Sequence, residues 1–314
     1  MTRGRYAPSP TGFLHLGNAR TALVAYWHAK ARNGTFLMRV EDLDSARSKP
    51  EMVSANLDEL RWLGLSWDEG PDVGGPSRPY VQSQRFSLYE TALNKLVIQN
   101  RVFECYLSRK DLREIASAPH GQMPVYSKAE RALNKRVKDQ KIVEGKPPSL
   151  RFRVDKPTVS FTDILQGEQT VELGDFVVKR ADGEWAYQLA VVVDDSAMNI
   201  TEVVRGDDLL QSTAAQLLLY DALELAPPTF LHVPLLMDET GERMAKRKGS
   251  LTLTALREKG VKPERVVGLL AHTLGLTPEP GEMSVPEGLE LYSLTSLSPL
   301  PCSLSSELLE WLVQ

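Results

Sequence analysis

Cysteine is scarce in this chain: Cys105 and Cys302 are the only 2 thiols in 314 residues. Two thiols supply no disulfide framework, and their scarcity suits a reducing cytoplasm. Long apolar runs are missing as well. None approaches the roughly 18 residues that a membrane span requires. The N-terminus enters a strand directly, without the charged and then apolar pattern of a secretion signal. A surplus of positive charge is also lacking, with 37 Lys and Arg against 41 Asp and Glu and a net charge of −4. That excludes capture of nucleic acid by bulk attraction and leaves only a local basic patch to do it. No internal repeat is visible, which excludes a solenoid.

What remains is an ordinary globular composition, 42% hydrophobic and 25% charged, enough for one large core or a core with a satellite. Residues 4–7 read as a strand, 19–32 as a helix and 35–40 as a second strand. This β-α-β unit implies a parallel sheet. Residues 51–63 form an amphipathic helix opened by Pro50, where the missing N–H costs little. Residues 68–79 are a Gly/Pro-rich loop and 84–100 another helix. The rhythm changes at Cys105, with a polar helix, the Gly145-Lys146-Pro147-Pro148 break and short strands up to about Val178. The main sheet is expected to resume at residues 185–193, then to gain a strand at 201–205, a helix at 209–223 and a final strand at 229–236. Strands alternating with helices predict an α/β fold with a doubly wound parallel sheet and a ligand at the carboxyl ends of its strands. The expected division is a nucleotide-binding body of residues 1–104 and 179–250, an inserted α+β domain of residues 105–178, and a short helical region of residues 251–314.

Two segments roughly 230 residues apart carry the chemical signal. The first is Ala7-Pro8-Ser9-Pro10-Thr11-Gly12-Phe13-Leu14-His15-Leu16-Gly17-Asn18. It joins a strand to a helix through a turn that can bring backbone N–H groups, a helix N-terminus and an imidazole up to a phosphate. The second, Arg243-Met244-Ala245-Lys246-Arg247-Lys248-Gly249, is a basic loop placed to approach the same phosphates from the other side.

Together the two segments resemble the HIGH and KMSKS signatures of class I aminoacyl-tRNA synthetases. The runs Arg5-Tyr6-Ala7-Pro8-Ser9-Pro10-Thr11-Gly12, Arg39-Val40-Glu41-Asp42-Leu43-Asp44 and Val203-Val204-Arg205-Gly206-Asp207-Asp208-Leu209 are similar to the glutamate-activating members. The resemblance extends from Arg3 to about Leu276. A full glutamyl enzyme carries a large helical anticodon-binding half after the KMSKS loop. Here about 64 residues follow Ser250 and fade into Ser/Pro-rich sequence after Pro278. That resembles the truncated branch, without an anticodon-binding domain, that attaches glutamate to the queuosine nucleoside of tRNA(Asp). The run Asp208-Leu209-Leu210-Gln211-Ser212-Thr213 is close to that branch too. The alternatives are a truncated glutamyl-tRNA synthetase charging a 3′ end and a non-catalytic paralogue that binds glutamate or RNA. Intact His15 and Lys246 argue against the last, because binding alone does not demand both.

Activating an amino acid means attack by its carboxylate on the α-phosphorus of ATP. That carboxylate is ionised at neutral pH, so no general base is needed. Positioning and charge stabilisation remain. The resemblance implies His15 and Lys246 as catalytic contacts to ATP, His15 meeting its phosphates and Lys246 the departing pyrophosphate. Gly17 and Asn18 complete the nucleotide site, Gly17 because a side chain there would collide with the nucleotide. Asn18 departs from the final His of the signature, and Ala245 from its usual serine. By the same resemblance Arg5 and Arg205 grip the glutamate side chain, Ser9 and Tyr187 hydrogen-bond it, Tyr6, Ala7 and Pro8 line it, and Glu41 holds its ammonium group. Arginine suits a two-pronged grip on a carboxylate.

Relatives often hold zinc in the inserted domain through Cys-x-Cys, a Tyr and a further Cys. Here Leu107 stands at the second thiol position and Glu130 at the last, beside Cys105 and Tyr126. At most three candidates remain for a four-ligand ion, so no zinc is expected and magnesium arrives with ATP. The expected partners are L-glutamate, ATP and the tRNA(Asp) anticodon stem-loop, the enzyme itself being a cytoplasmic monomer. The basic patch for RNA is sought in residues 128–146: Lys128, Arg131, Lys135, Arg136, Lys138, Lys141 and Lys146. Such a run is equally the solvated face of a helix.

Overall fold

The computed structural model describes residues 1–107, 111, 128–241 and 251–314. In chain order its strands are β1 (Arg3–Tyr6), β2 (Thr35–Met38), β3 (Val102–Cys105), β4 (Ser149–Phe152), β5 (Thr158–Asp163) and β6 (Gly167–Glu172). They continue with β7 (Phe176–Lys179), β8 (Glu202–Gly206), β9 (Thr229–Val233), β10 (Leu236–Asp238) and β11 (Cys302–Leu304). The helices are α1 (Leu16–Lys30), α2 (Pro50–Trp62), α3 (Phe86–Ile98), α4 (Lys128–Val143), α5 (Tyr187–Ala197) and α6 (Leu210–Leu223). Near the C-terminus follow α7 (Leu253–Glu258), α8 (Pro263–Thr273), α9 (Val285–Leu291) and α10 (Ser306–Val313).

Four strands form one parallel sheet in the order β2-β1-β8-β9. The chain leaves β1 toward β2 on one side and returns to β8 on the other, so the strand order reverses at the β1/β8 boundary. Ligands bind at the carboxyl ends flanking such a reversal. Successive side chains in a strand point to opposite faces, and here both faces are covered. Phe36, Met38, Val204 and Leu231 enter the core beneath α1. Their neighbours Leu37, Val203 and Phe230 enter a second core with α3, α5 and α6. This is the doubly wound arrangement read from the strand–helix alternation.

Three boundaries differ from that reading. Residues 185–193 do not form a strand: helix α5 occupies the stretch, with Leu189 through Asp195 buried. A continuous apolar run with three successive valines looks alike in a buried strand and a buried helix. Next, β9 stops at Val233 instead of running to residue 236. Pro234 has no N–H for the ladder, and Leu236–Asp238 pairs in parallel with Cys302–Leu304 instead. Finally, α1 begins at Leu16, three residues early, because His15 caps it.

Residues 102–179 add an antiparallel sheet, β3-β4-β7, and the β5-β6 hairpin. Residues 251–314 share the core beneath α1 through Val266, Val267, Leu269, Leu270, Val285, Leu304 and Leu312. Gly268 marks how close this approach is: a Cβ on it would collide with the carbonyl oxygen of Gly281. In an open helix Gly→Ala gains up to about 1 kcal/mol. Here the clash is with backbone, so Gly268→Ala is expected to destabilise by about 2 kcal/mol, read as a lowered urea midpoint with an unchanged slope.

Candidate active site

The turn after β1 is built against the end of β2. Arg39 N–H donates to Tyr6 O at 3.0 Å and Glu41 N–H to Pro8 O at 3.0 Å. Ala7 and Pro8 thereby form a wall beside Glu41, with Ser9 exposed at the rim. Tyr6 is buried, and its hydroxyl donates to Asn18 O at 3.2 Å; burial pushes its pKa up. The hydroxyl therefore braces the start of α1.

His15 is the N-cap of α1. Its Nδ1 accepts the N–H of Gly17 at 3.1 Å and of Asn18 at 3.3 Å, while Asn18 Oδ1 accepts His15 N–H at 3.1 Å. This reciprocal capping box satisfies donors that a helix end otherwise leaves open. It also fixes the tautomer: with Nδ1 accepting, the neutral ring carries its proton on Nε2. Burial holds the imidazole pKa below its usual value, so that form is favoured. The structure gives Gly17 a further reason to lack a side chain, since a Cβ there would lie 3.0 Å from His15 Cε1. Asn18, which departs from the family signature, closes the cap.

Charge concentrates below this turn. Asp195 receives Arg39 Nη1 at 2.6 Å and both Arg5 Nε and Nη2 at 3.2 and 3.3 Å. Arg39 Nη2 also donates to Glu41 Oε1 at 2.9 Å. Asp194 receives Arg85 Nε at 2.6 Å, Gln82 at 2.8 Å and the Tyr89 hydroxyl at 2.8 Å. All these groups are buried. Burial opposes the charge on Arg39, but Asp195, Glu41 and Asp194 outweigh it. Burial likewise pushes Asp195 up, yet Arg39 and Arg5 hold it below the usual carboxylate range. Glu41 ends above that range, because burial exceeds the pull of Arg39 and Arg5.

Arg205 differs from the others. It is 4% exposed, and its hydrogen-bond partners are neutral acceptors. Nε donates to His232 Nε2 at 3.0 Å, Nη1 to Gln216 Oε1 at 2.9 Å and Nη2 to Thr213 Oγ1 at 2.8 Å. Burial lowers its pKa and Arg5 adds like-charge repulsion, while Tyr187 and Asp195 act the other way. Tyr187 opens α5 at its N-terminal residue. Arg5, Glu41, Tyr187 and Arg205 therefore lie together at the switch point. Sequence reasoning missed Arg39 as a separate element, and also Arg85, Asp194, Asp195 and His232. One signal was available: carboxylates are almost never buried unpaired, and Asp194-Asp195 closes an apolar run.

Lys246, Arg247 and Lys248 lie outside the described residues. The chain that follows returns to the cap: His15 bridges Thr252, and Leu253 N–H donates to Leu14 O at 2.8 Å. The buried Glu59 carboxylate joins the same two segments, accepting Leu14 N–H at 2.8 Å, Thr254 N–H at 2.9 Å and the Thr254 hydroxyl at 2.7 Å.

The basic stretch is largely neutralised. Arg131 pairs with Asp175, Lys138 with Glu104, and both Lys141 and Lys146 with Glu144. Lys135 and Arg136 stay exposed. Cys105 packs with Leu107, Phe103, Leu133 and Val137, so Leu107 fills apolar space where a relative's thiol would ligate. Tyr126 lies outside the described residues, and among those described no three His, Cys, Asp or Glu side chains gather around a metal position.

The family model for class I tRNA synthetases (E and Q), catalytic domain, matches residues 1–299. Glutamyl-Q tRNA(Asp) synthetase of Symbiobacterium thermophilum is 48% identical over 313 residues, covering 98% of this chain and 97% of that protein. Glutamate–tRNA ligase of Sulfurihydrogenibium sp. is 37% identical over 319 residues, covering 99% of this chain and 66% of that protein. The crystal structure of a glutamate tRNA ligase from Elizabethkingia meningosepticum in complex with its amino acid superposes with a TM-score of 0.83 at 28% identity. It covers 99% of this chain and 68% of that one.

The cap makes a prediction about stability. His15→Ala should cost about 1 kcal/mol, whereas His15→Asn, which keeps a capping acceptor, should cost a few tenths. The cap needs an unprotonated Nδ1. Its contribution is therefore complete above the usual histidine pKa of about 6.5 and lost as pH falls through the lower folded value. Urea midpoints of the three proteins at neutral pH, and of the parent as pH falls, check both statements.

Proposed function

Since this chain belongs to the class I tRNA synthetase family for E and Q, a family of ATP-using ligases, we propose that it activates L-glutamate and transfers it to the queuosine nucleoside of tRNA(Asp). One observation carries the substrate: of the buried Arg5, Arg39, Arg85 and Arg205, the first three bond directly to Asp194, Asp195 or Glu41, whereas Arg205 bonds neutral acceptors. Buried Asp163 reaches Arg205 only through His232, so among the described residues no carboxylate touches the Arg205 guanidinium, and a buried cation without a contacting anion is costly until one binds. An amino acid with an acidic side chain brings two carboxylates and one ammonium, a net charge of −1. Its γ-carboxylate goes to Arg205 and Arg5, assisted by Tyr187 and Ser9 along the wall of Tyr6, Ala7 and Pro8. Its ammonium goes to Glu41.

The α-carboxylate then attacks the α-phosphorus of ATP. One P–O bond to it forms, the P–O bond to the β-phosphate breaks, and pyrophosphate leaves. His15 presents Nε2–H to the phosphates, beside the backbone at Gly17 and Asn18, and Lys246 meets the leaving pyrophosphate. Magnesium travels with the nucleotide. In the second step a hydroxyl of the queuosine cyclopentene diol attacks the activated carbonyl and AMP departs.

The 48% identity to the glutamyl-Q relative, against 37% to the glutamate–tRNA ligase, favours this acceptor over a 3′ terminus. Residues 105–178 act as an inserted domain in this reading and residues 251–314 brace the body. RNA phosphates are met by exposed cations such as Lys135 and Arg136, with Arg131, Lys138, Lys141 and Lys146 held in internal pairs.

Glutamate-dependent exchange of pyrophosphate into ATP is expected without any RNA. Glutamine should be rejected strongly, because a carboxamide leaves the buried cation unpaired. Exchange that appears only after tRNA is added would instead mark a 3′-charging enzyme, and equal exchange with glutamine would overturn the substrate assignment.

A further inference from the structure

His232 touches no solvent, at 0% exposure, yet it determines how Arg205 is presented. The two residues are register partners on the adjacent strands β8 and β9. On its far side the ring meets Asp163, at the end of β5, with Nδ1 and Oδ2 2.6 Å apart. Asp163 is held as an acceptor: Oδ1 takes the N–H groups of Leu165 at 3.0 Å and Gln166 at 2.9 Å, and His232 N–H lies 3.2 Å from both oxygens. Burial raises its pKa, but His232 and Gln166 outweigh that and hold it low. A carboxylate that can only accept requires the proton on Nδ1. Nε2 is then a lone pair facing Arg205 Nε–H, and burial keeps the ring from charging.

Chemically this arrangement is selective. A carboxylate in place of the imidazole would orient Arg205 equally well but would cancel its charge. A neutral acceptor orients the guanidinium and leaves the charge for a ligand. We propose that His232, locked by Asp163 as a neutral hydrogen-bond acceptor, is a positioning residue that aims Arg205, with no carboxylate bonded directly to it, at the substrate and so sets the preference for an acidic side chain over its carboxamide. The inference rests on the reading that Arg205 grips the glutamate side chain.

The test is a set of variants measured by pyrophosphate exchange with glutamate and with glutamine, alongside thermal unfolding. His232→Leu removes the acceptor. It should raise the KM for glutamate about tenfold or more and erode the glutamate-over-glutamine preference by a similar factor, with kcat and the KM for ATP much less affected. His232→Gln, whose amide oxygen reaches toward the Nε2 position, should restore most of both. His232→Asn, whose amide reaches only as far as Nδ1, should behave like Leu while remaining polar, so the test stands even if the Leu variant fails to fold. A parental KM and preference in His232→Asn, or a loss confined to kcat, would overturn the proposal. Arg205→Ala separates the two levels. Preference retained there sinks the Arg205 reading itself, while preference lost there but kept in His232→Asn sinks only the role of His232.

Discussion

Four guanidinium groups buried at a point where the strand order reverses constrain everything else in this molecule. Buried charge is tolerated only with close partners, and the fold supplies three carboxylates from two elements, the end of β2 and the end of α5. Asp194 and Asp195 sit at the C-terminal end of α5, where the helix dipole disfavours negative charge. The arginines of β1, of the end of β2 and of the segment before α3 offset that, and in doing so fasten α5 to the sheet. Arg205 is left with acceptors that orient it without neutralising it. The site is thus stable as a framework and leaves one guanidinium without a directly bonded carboxylate, the condition expected of a pocket for an acidic ligand.

The second constraint is geometric. A class I ligase brings a nucleotide against the amino acid, and here the cap of α1 positions its imidazole, among the described residues, through hydrogen bonds at Nδ1. The other nitrogen is available because the first is used. Glu59 carries this precision to residues 252–254, so the segments around the two sequence signatures share one buried carboxylate. Local helix chemistry and long-range assembly therefore converge on the same few atoms.

Much of this was legible in the sequence. The β-α-β start and the parallel sheet followed from periodicity, the family resemblance named Arg5, Glu41, Tyr187 and Arg205 as one group, and the match across residues 1–299 bears the family out. The α5 helix was misread because three valines in succession carry no period. Glu59 and His232 were invisible for another reason: their roles depend on partners about 195 and 27 residues away, and no local pattern encodes such pairing. The basic stretch at residues 128–146 was open to two readings, an RNA patch or a solvated helix face. Its charge is real in composition, but Glu104, Glu144 and Asp175 neutralise much of it in place.

Where the glutamate ends up distinguishes the two acceptors. The most direct measurement is charging with labelled glutamate of an isolated tRNA(Asp) anticodon stem-loop, prepared with and without queuosine. Label on the queuosine-containing stem-loop alone, lost on mild alkaline hydrolysis and falling off as salt weakens phosphate contacts, is the predicted result. Label on the 3′ terminus of unmodified tRNA(Glu), with none on the modified stem-loop, would contradict it.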